Sequence, residues 1–260
     1  MSAPQTIAVI GDLHYGRDRA PGRHGDIGDI LLQRAVAYLN DCIAPDLTLL
    51  VGDVLDDGDA GDAPARLARL REILDGLHGP SVVVPGNHDG EVEAFYKVFD
   101  RPPSIGQVGD LRVVACVDED RPGACAQRRA EDMDRFRYAR EGYEGPLVAV
   151  QHVPVLPGGA TECPFNHLDA DTILEAMTAS QVRLCVSGHY HPGLDPIQAG
   201  PTTLVTAPAL YREPFELLVV RLEGDRVDAA RHALRVDPAL GLADYHLHIY
   251  FNIQSLVEKV

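Results

Sequence analysis

At 260 residues, with 45% hydrophobic and 24% charged side chains, the chain is long enough for a large core and too apolar for a disordered one. Asp and Glu outnumber Lys and Arg 39 to 23, and the formal net charge of −16 argues against nonspecific attachment to nucleic acid or an anionic membrane, both of which draw on clustered basic side chains. No apolar segment approaches the ~20 residues needed to span a bilayer, and Met1 to Gln5 lacks the basic start and apolar run of a signal peptide, so a cytoplasmic protein is expected. Cys42, Cys116, Cys125, Cys163 and Cys185 are odd in number, scattered and never arranged as C-x-x-C, which fits reduced thiols, most of them expected as small core residues.

Thr6 to Ile10 is a short apolar run stopped by Gly11, the pattern of a strand buried on both faces. Asp12 and His14 follow, and on an extended backbone they project to one side, a first hint of a metal site. The loop from Tyr15 to Gly28 carries Arg17, Arg19, Arg23 and His24. Most of these belong to a solvated surface, and one or two are placed to reach a phosphate oxygen. Apolar residues at helical spacing run from Asp29 to Ile43.

The unit then recurs. Leu47 to Val51 is a second buried strand ending in Gly52-Asp53, followed by an amphipathic helix from Ala63 to His78 with Arg66, Arg69 and Arg71 outward. Ser81 to Val84 is a third, and it delivers Pro85-Gly86-Asn87-His88-Asp89. Three polar side chains at the mouth of a buried strand each need a partner or a task. We assign Asn87 to metal, His88 to substrate and Asp89 to the orientation of His88. Polar ligand types just beyond successive strands follow the rule that α/β sheets carry their sites at strand carboxyl ends.

Further along, Glu91 to Phe99 reads as a short helix, Leu111 to Val117 as a strand and Gln127 to Glu141 as a surface helix. Leu147 to Val150 precedes His152, and Val182 to Val186 precedes Ser187-Gly188-His189-Tyr190-His191. Between them lie an irregular loop from Thr161 to Asn166 and a helix from His167 to Ala179. Thr203 to Thr206, Glu216 to Leu222 and Arg226 to Leu234 lack intervening helices and fit an antiparallel part of the sheet system, the last two as a hairpin. Tyr245 to Tyr250 alternates like an edge strand that covers the domain or pairs with a second copy as a homodimer. With no repeat, low-complexity tract or linker, a single domain is expected over 1–260. Its motif-bearing part covers 1–200, second-sheet strands 201–235 and a C-terminal extension 236–260.

The chemistry-bearing set is Asp12, His14, Asp53, Asn87, His152, His189 and His191, with His88 beside it. Oxygen and imidazole donors without thiolate suit Mn, Fe or Zn. The set divides around Asp53 as a bridge, with Asp12, His14 and His191 on one ion and Asn87, His152 and His189 on the other. Two ions ~3.5–4 Å apart generate a hydroxide and stabilise in-line displacement at phosphorus. The bland alternative, hydrogen-bonded structural histidines, is preferred for His24, His78, His232, His246 and His248. His167 is the candidate exception, as a substrate wall with Cys163, Phe165 and Asn166. Tyr15 and Tyr190 either flank the substrate or pack. Arg212 either contacts a phosphate or pairs with Glu213.

Gly11-Asp12-Leu13-His14, Gly52-Asp53, Gly86-Asn87-His88-Asp89, His152 and Gly188-His189-Tyr190-His191 together resemble the five ordered motifs of the calcineurin-like metallophosphoesterase superfamily, from Ile10 to about Pro192. The resemblance implies a four-layer α/β/β/α sandwich, two mixed β-sheets flanked by helices, with a dinuclear centre of divalent or trivalent ions. It also implies that His88 is a histidine near the leaving-group oxygen and not a ligand, and that Asp89 pairs with it. The protein Ser/Thr phosphatase branch typically has Arg soon after the second motif and Glu closing the third. Here Asp57 and Asp89 stand at those places, and Gly-His-x-His looks more like the phosphodiesterase branch. The expected activity is hydrolysis of cyclic nucleotides or other small phosphodiesters. Phosphomonoesterase, protein phosphatase and noncatalytic scaffold are the alternatives, in that order.

Overall fold

The computed structural model describes residues 4–17 and 21–235. In chain order the elements are β1 (Gln5–Ile10), α1 (Gly28–Tyr38), β2 (Leu47–Val51), α2 (Ala63–Leu74), β3 (Ser81–Val84), α3 (Val92–Phe95), β4 (Gly106–Val108), β5 (Leu111–Ala115), β6 (Glu119–Arg121), β7 (Cys125–Gln127), α4 (Ala130–Arg140), β8 (Leu147–Val150), α5 (Ala170–Ala179), β9 (Val182–Ser187), β10 (Leu194–Ala199), β11 (Thr202–Thr206), β12 (Glu216–Glu223) and β13 (Arg226–Ala233). One mixed sheet has the order β13-β12-β1-β2-β3, a second has the order β10-β11-β9-β8-β5-β4, and β6 and β7 form a separate hairpin. Among the described residues no helix is long and apolar enough to cross a membrane.

Side-chain alternation along the strands explains why they read as continuous apolar runs. In β1, Ile7 and Val9 face the second sheet and join Leu49, Val51, Val113, Val148 and Val186 in one buried layer. Ala8 and Ile10 face the other way, onto Leu31, Ala35, Leu67 and Leu70 of α1 and α2. The second sheet repeats the device, with Val114, Ala149 and Cys185 against Phe136 of α4 and Ile173 and Met177 of α5. Both faces of both sheets are therefore covered, and the layers run α/β/β/α as expected. β1, β2 and β3 are parallel to one another, as are β5, β8, β9 and β11, so all seven deliver their carboxyl ends to one rim of the sandwich.

Several expectations change. Residues 201–235 do not form one antiparallel group: β11 lies parallel beside β9 in one sheet, while β12 and β13 extend the other, antiparallel to β1 and to each other. The helix expected to reach His78 stops at Leu74, where Asp75-Gly76 turns the chain and the Gly76 N–H returns to the Ile73 carbonyl. The supposed surface helix is half core, since Phe136 and Ala139 are fully buried. α5 begins at Ala170 and not at His167. The edge strand over Tyr245 to Tyr250, its dimer role, and Arg19 lie outside the described residues.

Candidate metal centre

The first motif reaches the rim by a route other than the extended one expected. Asp12 (φ 44°) and His14 (φ 44°) are left-handed, as are Asp53 (φ 49°) and His189 (φ 66°). Left-handed Asp and His are tolerated better than most residues but still cost energy, and such strain persists where surrounding contacts over-determine it. Those contacts are present: the His14 N–H donates to the Asp53 carbonyl at 2.9 Å, and the His189 N–H donates to Asp12 Oδ2 at 2.9 Å. Gly86 serves close approach, because a Cβ there would overlap the Asp53 carboxylate and stand 2.8 Å from His152 Cε1. Gly86→Ala is therefore expected to displace Asp53 and lower metal content, measured by metal analysis of the purified variant.

Two groups of donor atoms, each within 4.8 Å, meet at the rim: Asp12, His14 and His191, and Asp53, His152 and His189. Asp53 Oδ2 lies between them, 3.6 Å from His14 Nε2 and 3.2 Å from His152 Nε2. Asn87 Oδ1 is 3.2 Å from His152 Nε2, which brings it to the second group, and His14 Nε2 is 3.2 Å from His191 Nε2. Asp12 Oδ1 completes the first group at 3.7 Å from His191 Nε2. All seven residues expected as ligands are brought together.

The electrostatics of this cluster ask for a cation. His152 Nδ1 donates to the Val51 carbonyl at 2.7 Å and His189 Nε2 donates to the Ala124 carbonyl at 2.9 Å. A carbonyl only accepts, so in the neutral rings the lone pairs sit on His152 Nε2 and His189 Nδ1, which face each other at 3.1 Å. Burial alone would lower His152, yet Asp53 beside it pushes its pKa up to about 10. Burial, reinforced by Asp53, raises Asp12 to about 8. Burial lowers His14 to about 3 and His189 to about 4. With Asp12 and His152 deprotonated, as metal binding requires, carboxylates and imidazole lone pairs converge in a donor set that fits hard or borderline metal ions.

The third motif divides its labour differently from expectation. His88 is exposed, and its Nδ1 donates to the backbone carbonyl of Asp56 at 2.8 Å, with its ring edge-on to His14 at 4.8 Å between centroids. It also belongs to a third donor group with His14 and Asp53. Asp89 does not pair with His88. Its carboxylate is buried, accepting from Leu55 N at 2.8 Å with Oδ1 and from Gly86 N at 2.8 Å with Oδ2. It thus ties the loops after β2 and β3 together. Asp89→Ala is expected to lower unfolding free energy by about 3–6 kcal/mol through two lost hydrogen bonds to a carboxylate. Urea denaturation measures it.

The other candidates disperse. Tyr15 packs against the helix layer and carries the Arg66 guanidinium 5.1 Å from its ring centre. Arg17 is exposed, 3.6 Å from Asp62. Arg23 and Arg212 pair by their backbones, and both charges bear on His191, which burial first and then Arg212 and Arg23 lower to about 4 against the pull of Asp53. Glu213 pairs with His24 at 2.9 Å and not with Arg212. His167 is no substrate wall: it is 4% exposed, with Nδ1 donating to the Pro154 carbonyl at 3.0 Å and Nε2 2.9 Å from Asp118. Sequence reasoning missed Tyr211, buried with its ring 4.6 Å from His14 and its hydroxyl 3.4 Å from His191 Nδ1. The signal available for it was its place at the end of the apolar Ala207 to Leu210 run after β11. Two clefts adjoin the first donor group, at Asp56 and at His191. One of about 390 Å³ is lined by Tyr15, Arg17, Asp56, Asp57 and Arg66, and one of about 220 Å³ by His191, Pro208, Arg212, Glu213 and Arg231.

Comparison with known proteins agrees with this geometry. Residues 5–193 match the model of a family described as calcineurin-like phosphoesterase. A probable cyclic nucleotide phosphodiesterase of Synechococcus sp. is 31% identical over 214 residues, covering 78% of this chain and 80% of the relative. A dimetal phosphatase from Danio rerio superposes with a TM-score of 0.67 at 15% identity, covering 90% of this chain and 97% of the other. A purple acid phosphatase from yellow lupin seeds does so at 0.61 and 12% identity, covering 90% and 52%.

Proposed function

The chain belongs to the calcineurin-like phosphoesterase family and is a hydrolase of phosphate esters, and from that premise we propose that it is a phosphodiesterase acting on cyclic nucleotides or similar small diesters. Family membership implies a dinuclear metal centre, and the single observation that carries the reading is the pair of buried donor groups meeting at Asp53. In this reading Asp12, His14 and His191 hold one ion, Asn87, His152 and His189 the other, and Asp53 both. The oxygen and nitrogen donors favour Mn or Fe, with Zn next. The bound ions supply an activated water and offset the charge on the phosphoryl group.

The chain's own residues bind and orient. With its Nδ1–H donated to the Asp56 carbonyl, His88 acts as an acid only as the imidazolium, whose Nε2–H is the proton it can give to a departing alkoxide. Arg212 and Arg23 lie on the opposite flank, where positive charge beside His191 suits a phosphate oxygen. A diester has two arms and a monoester one. The two clefts, which adjoin the first donor group at Asp56 and at His191, give room for a diester's second arm, and the larger is within the usual size of small-molecule pockets.

The test compares bis-p-nitrophenyl phosphate with p-nitrophenyl phosphate, followed by a nucleotide library, all with added Mn²⁺. Faster turnover of the diester and of cyclic nucleotides is expected. Chelation by EDTA is expected to remove activity and re-addition of Mn²⁺ to restore it. A chain that binds no metal and turns over neither ester defeats the reading.

A further inference from the structure

The β6–β7 hairpin closes over the centre from the second sheet's side, and both of its ends are anchored. Asp118, just before β6, and Arg128, just after β7, form a bidentate pair, Nε to Oδ1 at 2.8 Å and Nη2 to Oδ2 at 3.1 Å. Their side chains are 4% and 0% exposed. His167 Nε2 lies 2.9 Å from the same Asp118 Oδ2, and Leu168 N donates to the Ala126 carbonyl at 2.8 Å, joining β7 to the segment before α5. A desolvated, forked pair of this kind fixes geometry more reliably than it adds stability. Across the turn, the left-handed Ala124 (φ 54°) aims its carbonyl at His189 Nε2.

We propose that this hairpin is a positioning device for His189: the Ala124 carbonyl holds the proton on Nε2 so that Nδ1 faces the second ion, and the Asp118–Arg128 pair with His167 holds the hairpin. The inference rests on the metal assignment above. The two imidazoles of the second donor group thus take their tautomers from main-chain carbonyls of different origin. His152 takes its own from Val51, within a core strand, whereas His189 depends on a hairpin anchored by side chains. Arg128 links the two, since its Nη2 also donates to Gln151 Oε1 at 3.3 Å, one residue before His152. Metal-binding histidines that lose the partner of their second nitrogen commonly lose about 10- to 100-fold in metal affinity.

The variant that isolates this carbonyl replaces Pro122-Gly123-Ala124 by Asn-Gly. A two-residue turn of that kind keeps Arg121 opposite Cys125 and leaves Asp118 and Arg128 in place. Calorimetric titration of Mn²⁺ into metal-free protein is expected to show two ions on the wild-type chain. In the variant, one of them binds about 10- to 100-fold more weakly and the other is unchanged. Ala124→Gly, which keeps the carbonyl, retains both affinities. In the metal-free wild-type chain, long-range ¹⁵N NMR of His189 is expected to show the Nε2–H tautomer, a readout that needs no variant. Unchanged affinities in the Asn-Gly variant, or an Nδ1–H tautomer in the wild type, overturn the hairpin's role alone. A wild-type chain that takes up no Mn²⁺ overturns the metal assignment and this inference with it.

Discussion

Asp53→Ala is expected to lose metal and turnover together. Asp53 is the residue that faces both donor groups, 3.6 Å from His14 Nε2 and 3.2 Å from His152 Nε2 with the same oxygen, while its other oxygen accepts the His88 N–H at 2.9 Å. Burial would raise its pKa, but the charge and hydrogen bond of His152, with His14 and His88 behind, outweigh burial and hold it below the usual carboxylate range. Removing it takes away the carboxylate that both groups share and leaves Asp12 as the remaining acidic ligand among imidazoles and the Asn87 amide. Metal per chain should fall by at least one ion. Activity should fall by more than ~100-fold, because even partners outside the coordination shell commonly cost 10- to 100-fold. Full metal content in the alanine variant would show that the two groups do not share Asp53.

His88→Ala should separate what Asp53→Ala joins. The expected result is unchanged metal content with turnover reduced about 10²- to 10⁴-fold, the range that a positioned acid or base contributes. The size should depend on the leaving group. A p-nitrophenolate departs without a proton and an alkoxide such as a ribose oxygen does not, so the variant should lose far less on bis-p-nitrophenyl phosphate than on a cyclic nucleotide. His88 also lies within ligand distance of His14 and Asp53, which makes the metal analysis decisive. An empty or half-filled site would make His88 a ligand, and an equal loss on both substrates would remove its role as acid.

What the sequence made legible was whatever depends on short-range pattern. β2 and β8 run as expected because strands buried on both faces read as apolar runs, and β3, an edge strand buried only at Val83 and Val84, keeps its expected bounds too. The seven donors were legible because each follows such a strand within a few residues. Pairing was not. That β11 lies beside β9 and β12 beside β1 is decided by contacts across the chain, for which a strand's own residues carry no label. The partner of Asp89 was misread for the same reason: adjacency to His88 suggested a pair, while the buried carboxylate found Leu55 N, 34 positions away. Main-chain acceptors were invisible altogether. The Val51, Asp56 and Ala124 carbonyls orient three imidazoles, and a carbonyl has no residue type to notice.

The two donor groups assigned to the ions each draw on both sheets. Asp12 and His14 follow β1 and Asp53 follows β2 in one, whereas His152 follows β8 and His189 and His191 follow β9 in the other. Ions held there would act as rivets through the rim of a sandwich whose sheets otherwise meet through apolar packing and a few hydrogen bonds such as His152 Nδ1 to the Val51 carbonyl. Binding energy then enters folding energy directly, at about 2.7 kcal/mol for a ligand present at 100 times its dissociation constant. Scarcity of metal would loosen the fold at the same edge where it stops the chemistry, making the chain's lifetime, as well as its rate, a function of metal supply.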